Sequence, residues 1–344
     1  MWHGIEGHDD VVERFRRTLQ RDRLASTYLF VGPPGIGKRR FALQLAHGLL
    51  CSQSSDASLE ACGHCKSCRL FAAGNHPDLE LIGLPKDKTK LPIELFVGDR
   101  DHRHQQGLCH RMALKPFLAG RKIAIIDDAD HFNQESANCL LKTLEEPPEH
   151  LLLILIGTSP SRQLPTIRSR AQVVSFQPLD SETVAHILLE AGLLDDREAA
   201  KKAAELSEGS VERALHLADP GLWAFREQLF AELRLPATVR LARSVQAFVD
   251  EAGKETAQKR VRLRTVLGFA VSFFRQRLSG TNIDRDGHRL AYPTGHVDAA
   301  LEALEASLAA LEHIDRNANL AMVIQQWSEE MGAQSKSRSS LSPA

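Results

Sequence analysis

Apolar residues in the first half of the chain alternate between two periods. Over residues 8–22, Val11, Val12, Phe15 and Leu19 fall at helical spacing among charged residues, which predicts an amphipathic helix. Tyr28-Leu29-Phe30-Val31 is then a short continuous apolar run that reads as a buried strand. It ends in a Gly/Pro-rich turn at residues 32–37, and helical spacing returns over 38–50 with Phe41, Ala42, Leu45, Ala46 and Leu49. Further strand candidates follow at 79–84, 123–127, 151–156 and 172–176. Helical patterns separate several of them, as over 134–145 with Ala137, Leu140, Leu141 and Leu144. Short apolar strands alternating with helices predict a parallel sheet covered on both faces.

After Pro178 the strands stop. Residues 180–330 are rich in Ala, Leu, Glu and Arg and read as helices, the first capped at Ser181-Glu182, with a break at Gly209-Ser210. Leu301, Leu304, Leu308 and Leu311 form a stripe on a later helix. Residues 280–295 read as a long loop, and the Ser-rich, aperiodic tail as disordered. The expected layout is an α/β domain over 1–178, a small helical domain over 179–220, a larger helical domain over 221–331 and a disordered tail over 332–344. There is no internal repeat.

Composition adds limits. Hydrophobic residues make up 43% and charged residues 25% of the 344, as in ordinary soluble proteins. No apolar run reaches the roughly 18 residues that a membrane span needs. The start, Met1-Trp2-His3-Gly4, lacks a basic segment followed by an apolar one, so the expected compartment is the cytoplasm, with no membrane partner. The net charge of −1 means that any surface for nucleic acid has to be local.

The turn after the first strand carries the first chemistry. Gly32-Pro33-Pro34-Gly35-Ile36-Gly37-Lys38 fits G-x-x-x-x-G-K between a strand and a helix, the context of a phosphate-binding loop. Gly32, Gly35 and Gly37 let backbone N–H groups turn toward phosphate oxygens, and Lys38 reaches for the β- and γ-phosphates. The next position calls for Ser or Thr to hold Mg²⁺, but it is Arg39, whose guanidinium has no lone pair to give a metal. The strand at 123–127 ends in Asp127-Asp128-Ala129-Asp130. Asp127 is placed to support Mg²⁺. Asp128 stands where a Glu would activate water, one methylene short, and misplacing a base by about 1 Å costs on the order of 10²-fold in rate. The loop is expected to cradle ATP with an impaired Mg²⁺ site and to hydrolyse it poorly, if at all.

Cys51, Cys62, Cys65 and Cys68 are spaced C-x10-C-x2-C-x2-C. Four thiolates at short spacing suit tetrahedral Zn²⁺, and four protein ligands leave no open position, so the metal is expected to be structural. His64 lies inside the cluster as a competing ligand, although four sulfurs are softer. Cys109 and Cys139 read as packed thiols.

Taken together, these motifs resemble the bacterial clamp-loader AAA+ subunits of DNA polymerase III. The resemblance rests on the phosphate loop, the cysteine insert after its helix, Asn75-His76-Pro77-Asp78 and the D-D-A-D strand end. It rests also on Asn138-Cys139-Leu140-Leu141-Lys142-Thr143-Leu144-Glu145-Glu146-Pro147-Pro148 and on Leu164-Pro165-Thr166-Ile167-Arg168-Ser169-Arg170. It is dense over residues 4–215 and continues weakly in Arg316-Asn317-Ala318-Asn319-Leu320. It implies an AAA+ module with a five-stranded parallel sheet, an all-helical lid and an all-helical collar that joins subunits. It implies a complex with gamma/tau and delta subunits that places a sliding clamp on primed DNA.

Within the resemblance, Arg170 matches an arginine finger that reaches ATP on a neighbouring subunit, where such a group contributes roughly 10³–10⁵ in rate. Ala171 stands where the family usually has Cys. Thr158 matches a position that senses the γ-phosphate. The lid arginine of the motor subunits falls at Glu212, and Arg213 is one place late, a rotation of about 100° on a helix. Loss of the Ser/Thr, the Glu and the lid Arg, with Arg170 retained, resembles the delta-prime-like stator branch rather than the gamma/tau motors. The other readings are an active ATPase motor and a non-enzymatic DNA-binding scaffold with a vestigial loop. Arg100, Arg103, Arg111, Lys115, Arg121 and Lys122, with His102, His104 and His110, form a basic segment against Asp99 and Asp101. It reads either as a solvated, intersubunit face or as a sequence-independent DNA contact.

Overall fold

A computed structural model describes residues 2–85, 88–101, 105–234, 239–278 and 295–339. Its five strands are β1 (Thr27–Val31), β2 (Leu79–Ile82), β3 (Lys122–Ile126), β4 (Leu151–Gly157) and β5 (Gln172–Ser175), ordered β2-β3-β4-β1-β5. All pairings are parallel. Every residue of β1, β3 and β4 is buried, which explains why the sequence shows continuous apolar runs instead of alternation. Alternate side chains feed opposite layers. Tyr28, Phe30, Ile123, Ile125, Leu152 and Ile154 join one core, and Leu29, Val31, Ala124, Ile126, Leu153 and Leu155 the other. The edge strands β2 and β5 are partly exposed.

Because the strands are parallel, the segments after β1, β3, β4 and β5 leave from one edge of the sheet, where ligand sites of such sheets collect. The first of these turns leads into the Lys38–Leu50 helix, bounded as its pattern predicts. The Gln134–Glu145 helix starts at a capping box, with Asn133 Oδ1 accepting from Ser136 N (2.7 Å) and Asn133 N donating to Ser136 Oγ (3.1 Å).

The chain divides into two compact units, Met1–Ala218 and Asp219–Ala344. The helices Ser181–Glu190, Arg197–Leu206 and Val211–Leu217 close the first. The cap of Ser181–Glu190 corrects the expectation: Asp180, not Ser181, accepts the Thr183 N–H (2.7 Å), and Ser181 is already helical.

The second unit is helical: Pro220–Arg234, Val239–Asp250, Thr256–Leu278, Gly295–Asp315 and Leu320–Ser339. The leucine stripe is not its core. Leu301 and Leu308 are 46% and 42% exposed, while Ala299, Ala300, Ala303, Ser307, Ala310 and Ile314 are buried. Both sets repeat at helical spacing, and the small one faces inward because small side chains let helices approach closely. Ser307 fixes that face, donating to Ala303 O and accepting from Trp327 Nε1 (3.0 Å). The last helix continues to Ser339, into the segment expected to be disordered, since Ala, Gln, Lys and Arg propagate a helix once it has formed. The expected loop at 280–295 lies outside the described residues, apart from Gly295 at the start of a helix.

Candidate functional site

Gly32–Gly37 leaves the end of β1 and turns into the Lys38–Leu50 helix. At Gly35 (φ +73°) an added Cβ would lie 2.2 Å from Ser210 Oγ and 2.7 Å from Glu212 Cβ. At Gly32 it would lie 2.5 Å from Phe176 O. Only glycine fits where the loop is pressed so closely by later segments. Val211 N donates to Gly35 O (3.0 Å), and His8 Nε2–H donates to Ile36 O (2.8 Å), so the loop's carbonyls are held from two sides.

Lys38 turns back on its own loop. Its Nζ donates to Gly32 O (2.6 Å) and Pro33 O (2.5 Å), and the residue is buried. Burial pushes its ammonium below the usual lysine range, opposed by the charges of Asp127, Asp130 and Glu212. Arg39 reaches the end of β3, where its Nη1 donates to Asp127 Oδ2 at 3.0 Å. The other oxygen of Asp127 accepts the Asp128 N–H (3.0 Å). A guanidinium therefore occupies the carboxylate that would support Mg²⁺. Asp128, in a left-handed conformation (φ +56°), accepts the Leu84 N–H (3.2 Å) and is tied to the end of β2.

Asp130, an unassigned member of the acidic run, links the ends of β3 and β4. It accepts from Thr158 N (2.8 Å), Thr158 Oγ1 (2.5 Å) and Gln163 Nε2. The Thr158 hydroxyl thus has a carboxylate partner within the chain, and Thr158 O accepts the Gly32 N–H (3.1 Å). Glu212, noted in the sequence only as a missing arginine, brings a carboxylate to the loop instead.

Arg170 follows the short Pro165–Arg168 helix and is exposed. Its Nη2 donates to Glu145 Oε1 (2.7 Å), and its Nη1 to Thr166 O (3.1 Å) and Ser169 Oγ (3.2 Å). These contacts hold the guanidinium at the surface, where a neighbouring molecule can reach it.

The four cysteines meet although Cys51 ends one helix and Cys65 caps the next, Lys66–Ala72. Their sulfurs all lie within 4.8 Å of one another, and Cys62 Sγ lies 3.9 Å from Cys68 Sγ. A tetrahedral Zn²⁺ with Zn–S near 2.3 Å places its sulfurs roughly 3.8 Å apart, so the donor set fits. Backbone N–H groups of Cys62, Cys65 and Cys68 point at the sulfurs of Cys51, Cys62 and Cys65 (3.3–3.4 Å). Burial drives Cys68 up to about 12, whereas at Cys65 hydrogen bonds from Ser52 and Cys68 outweigh burial and bring the thiol down to about 5. His64 stays out of the set: its Nδ1–H donates to Cys62 O (2.8 Å). Next to the cluster, His76 Nε2 meets Ser67 Oγ (2.7 Å), and Ser67 Oγ donates to Leu50 O (2.5 Å), tying the insert to the phosphate-loop helix.

Two arginines of the basic segment are ion-paired where it is described, while Arg100, His110 and Lys115 are exposed. Arg111 pairs with Glu80 (2.8 Å), Arg121 pairs with Asp56, and Lys122 is buried in β3. His102, Arg103 and His104 lie outside the described residues.

A family model described as DNA polymerase III, delta subunit matches residues 7–180, just over half of the chain. The chain is 38% identical over 210 residues to DNA polymerase III subunit delta' of Pseudomonas aeruginosa, covering 61% of this chain and 60% of that protein. It is 34% identical over 183 residues to the Bacillus subtilis protein of that name, covering 52% and 50%. It is 32% identical over 223 residues to subunit tau/gamma of Haemophilus influenzae, covering 63% and 30%. The chain thus spans between half and three-fifths of the length of the delta' relatives. On the family match, this chain belongs to the DNA polymerase III delta subunit family.

Proposed function

We propose that the chain is a delta-prime-like stator of a clamp loader, assembled with gamma/tau and delta subunits to place a sliding clamp on primed DNA. The observation that carries this reading is the Arg39–Asp127 ion pair at 3.0 Å. Mg²⁺ at Asp127 would have to displace an attached cation, and ATP would have to draw Lys38 away from two carbonyls and accept Glu212 beside Gly35. The chain's own site is therefore a poor ATPase centre. Arg170 also lies at the surface, held by Glu145, and would have to exchange that partner for ATP to act as a finger in trans. Thr158, committed to Asp130, reads as a strut of the strand edge rather than a sensor.

The other expectations follow the same reading. The layout is an AAA+ domain over 1–178, a lid over 179–220 and a collar over 221–331. The exposed Leu301 and Leu308 suit a collar helix that packs on another subunit. Zn²⁺ at Cys51, Cys62, Cys65 and Cys68 would be structural, cross-linking the insert, and the complex would work in the cytoplasm. Among the described residues no helix is long and apolar enough to cross a membrane.

The test is ATP hydrolysis by the purified chain with Mg²⁺ and primed DNA, beside an R39T/D128E variant. The stator reading predicts no turnover by the wild type. Turnover that disappears in K38A would establish an active motor instead.

A further inference from the structure

Hydrogen bonds tie the cysteine insert together from outside the sulfur cluster. Ser67 lies between Cys65 and Cys68, on the Lys66–Ala72 helix, and its hydroxyl donates to Leu50 O (2.5 Å), the carbonyl just before Cys51. Leu50 ends the Lys38–Leu50 helix, where carbonyls lack an intrahelical partner. With its proton given to Leu50, Ser67 Oγ accepts from His76 Nε2–H (2.7 Å). His76 Nδ1 in turn accepts the Asp78 N–H (3.1 Å), which fixes the tautomer. Ser67, His76 and Asp78 are 3%, 4% and 0% exposed, so bulk water offers no replacement partner. The arm between Cys51 and Cys62 is tied separately, by Trp2 Nε1 donating to Leu59 O (3.2 Å) and by the Arg121–Asp56 pair.

We propose that Ser67 and His76 are positioning residues for the metal: their strut sets the distance between Cys51 and the Cys65–Cys68 pair, so that the sulfurs stand at tetrahedral spacing before an ion binds. The proposal rests on the reading of Cys51, Cys62, Cys65 and Cys68 as a Zn²⁺ site. Leu50 and Ser67 each adjoin a ligand in sequence, Cys51 and Cys68, so the bond between them acts on the backbone that carries the sulfurs. A donor set fixed beforehand loses less conformational freedom on binding. Groups that orient metal ligands from outside typically carry about 10–100-fold in affinity. Without Ser67, Leu50 O and His76 Nε2–H lose their partner, and without His76 the Ser67 hydroxyl loses the donor that orients it. The strut involves neither the phosphate loop's own contacts nor Arg170, so it stands apart from the stator reading.

The test is the Zn²⁺ affinity of the reduced full-length chain, measured by competition with a chromophoric chelator, beside Co²⁺ spectra that report thiolate ligation. S67A and H76L should each weaken Zn²⁺ binding about 10–100-fold and alter the Co²⁺ bands. S67A/H76L should bind no more weakly than S67A, because both side chains act through one strut. D180A, which removes a helix cap in the same unit, should lower the unfolding midpoint and leave the metal affinity unchanged. If S67A does not fold, H76L decides alone. Wild-type affinity in S67A or H76L, fully additive losses in the double variant, or an equal loss in D180A overturns the proposal. A wild-type chain that takes up neither Zn²⁺ nor Co²⁺ overturns the zinc reading itself, and this proposal falls with it.

Discussion

Asp78 has no exposed surface, and its carboxylate accepts the N–H groups of Phe117 (2.6 Å), Leu118 (2.8 Å) and Ala119 (2.9 Å). One side chain thereby fixes the loop that leads into β3 and holds Phe117, 79% exposed, at its tip. Burial pushes the Asp78 carboxyl up, but the three N–H donors and His76 outweigh it, so its pKa lies below the ordinary carboxylate value. The stabilisation is therefore present above the unfolded value of about pH 4 and is lost as pH falls through the lower folded value. Asp78→Asn should destabilise the chain by about 2–3 kcal/mol at neutral pH and remove part of its acid unfolding limb. Chemical denaturation at neutral and acidic pH checks both, and a variant as stable as wild type would show that the loop is held by other contacts. The motif containing Asp78 was visible in the sequence, but its partners were not. Backbone N–H groups some forty residues away leave no compositional trace. Asp130 was hidden for a similar reason, since its role as the acceptor for Thr158 depends on β3 and β4 being neighbours.

At the scale of elements, the strands were legible because burial on both faces demands apolar runs. The phosphate-loop helix was legible because Gly and Pro mark its start. The leucine stripe at 301–311 shows the limit of periodicity. A helix with large and small apolar residues on adjacent faces offers two candidate cores, and packing distance decides between them. The Arg316–Leu320 patch proves to be a helix junction. Asn317 takes the left-handed conformation (φ +62°), and Asn319 Oδ1 accepts from Ala321 N (3.0 Å) and Met322 N (3.3 Å). Arg260 binds the carbonyls of Ile314, Asn317 and Ala318. Asn319→Ala should cost about 1 kcal/mol, read as a lower unfolding midpoint, and a shift near zero would leave the cap without weight. The cysteine insert makes a sharper prediction. The purified chain should carry one zinc, and removing it with a chelator should lower the melting temperature, because the metal–sulfur bonds that cross-link the insert are then lost. A metal-free chain of equal stability would show that the cluster is only a thiol core.

For the whole molecule, the stator reading turns on where two ion-paired arginines sit. Arg39 is bound to Asp127, the carboxylate that the proposed reading gives to Mg²⁺, while Arg170 is bound to Glu145 and on the same reading would exchange that partner for ATP on a neighbouring subunit. Sequence matching alone brought the chain near both delta' and tau/gamma proteins. On the proposed reading the ion pair favours the delta' branch, since Mg²⁺ would have to displace the guanidinium from Asp127. The measurement that tests this most directly is DNA-stimulated ATP hydrolysis by the reconstituted complex carrying R170A. The account predicts normal assembly and loss of turnover at the adjoining site, on the order of 10³-fold there. Turnover equal to that of the wild-type complex would contradict it.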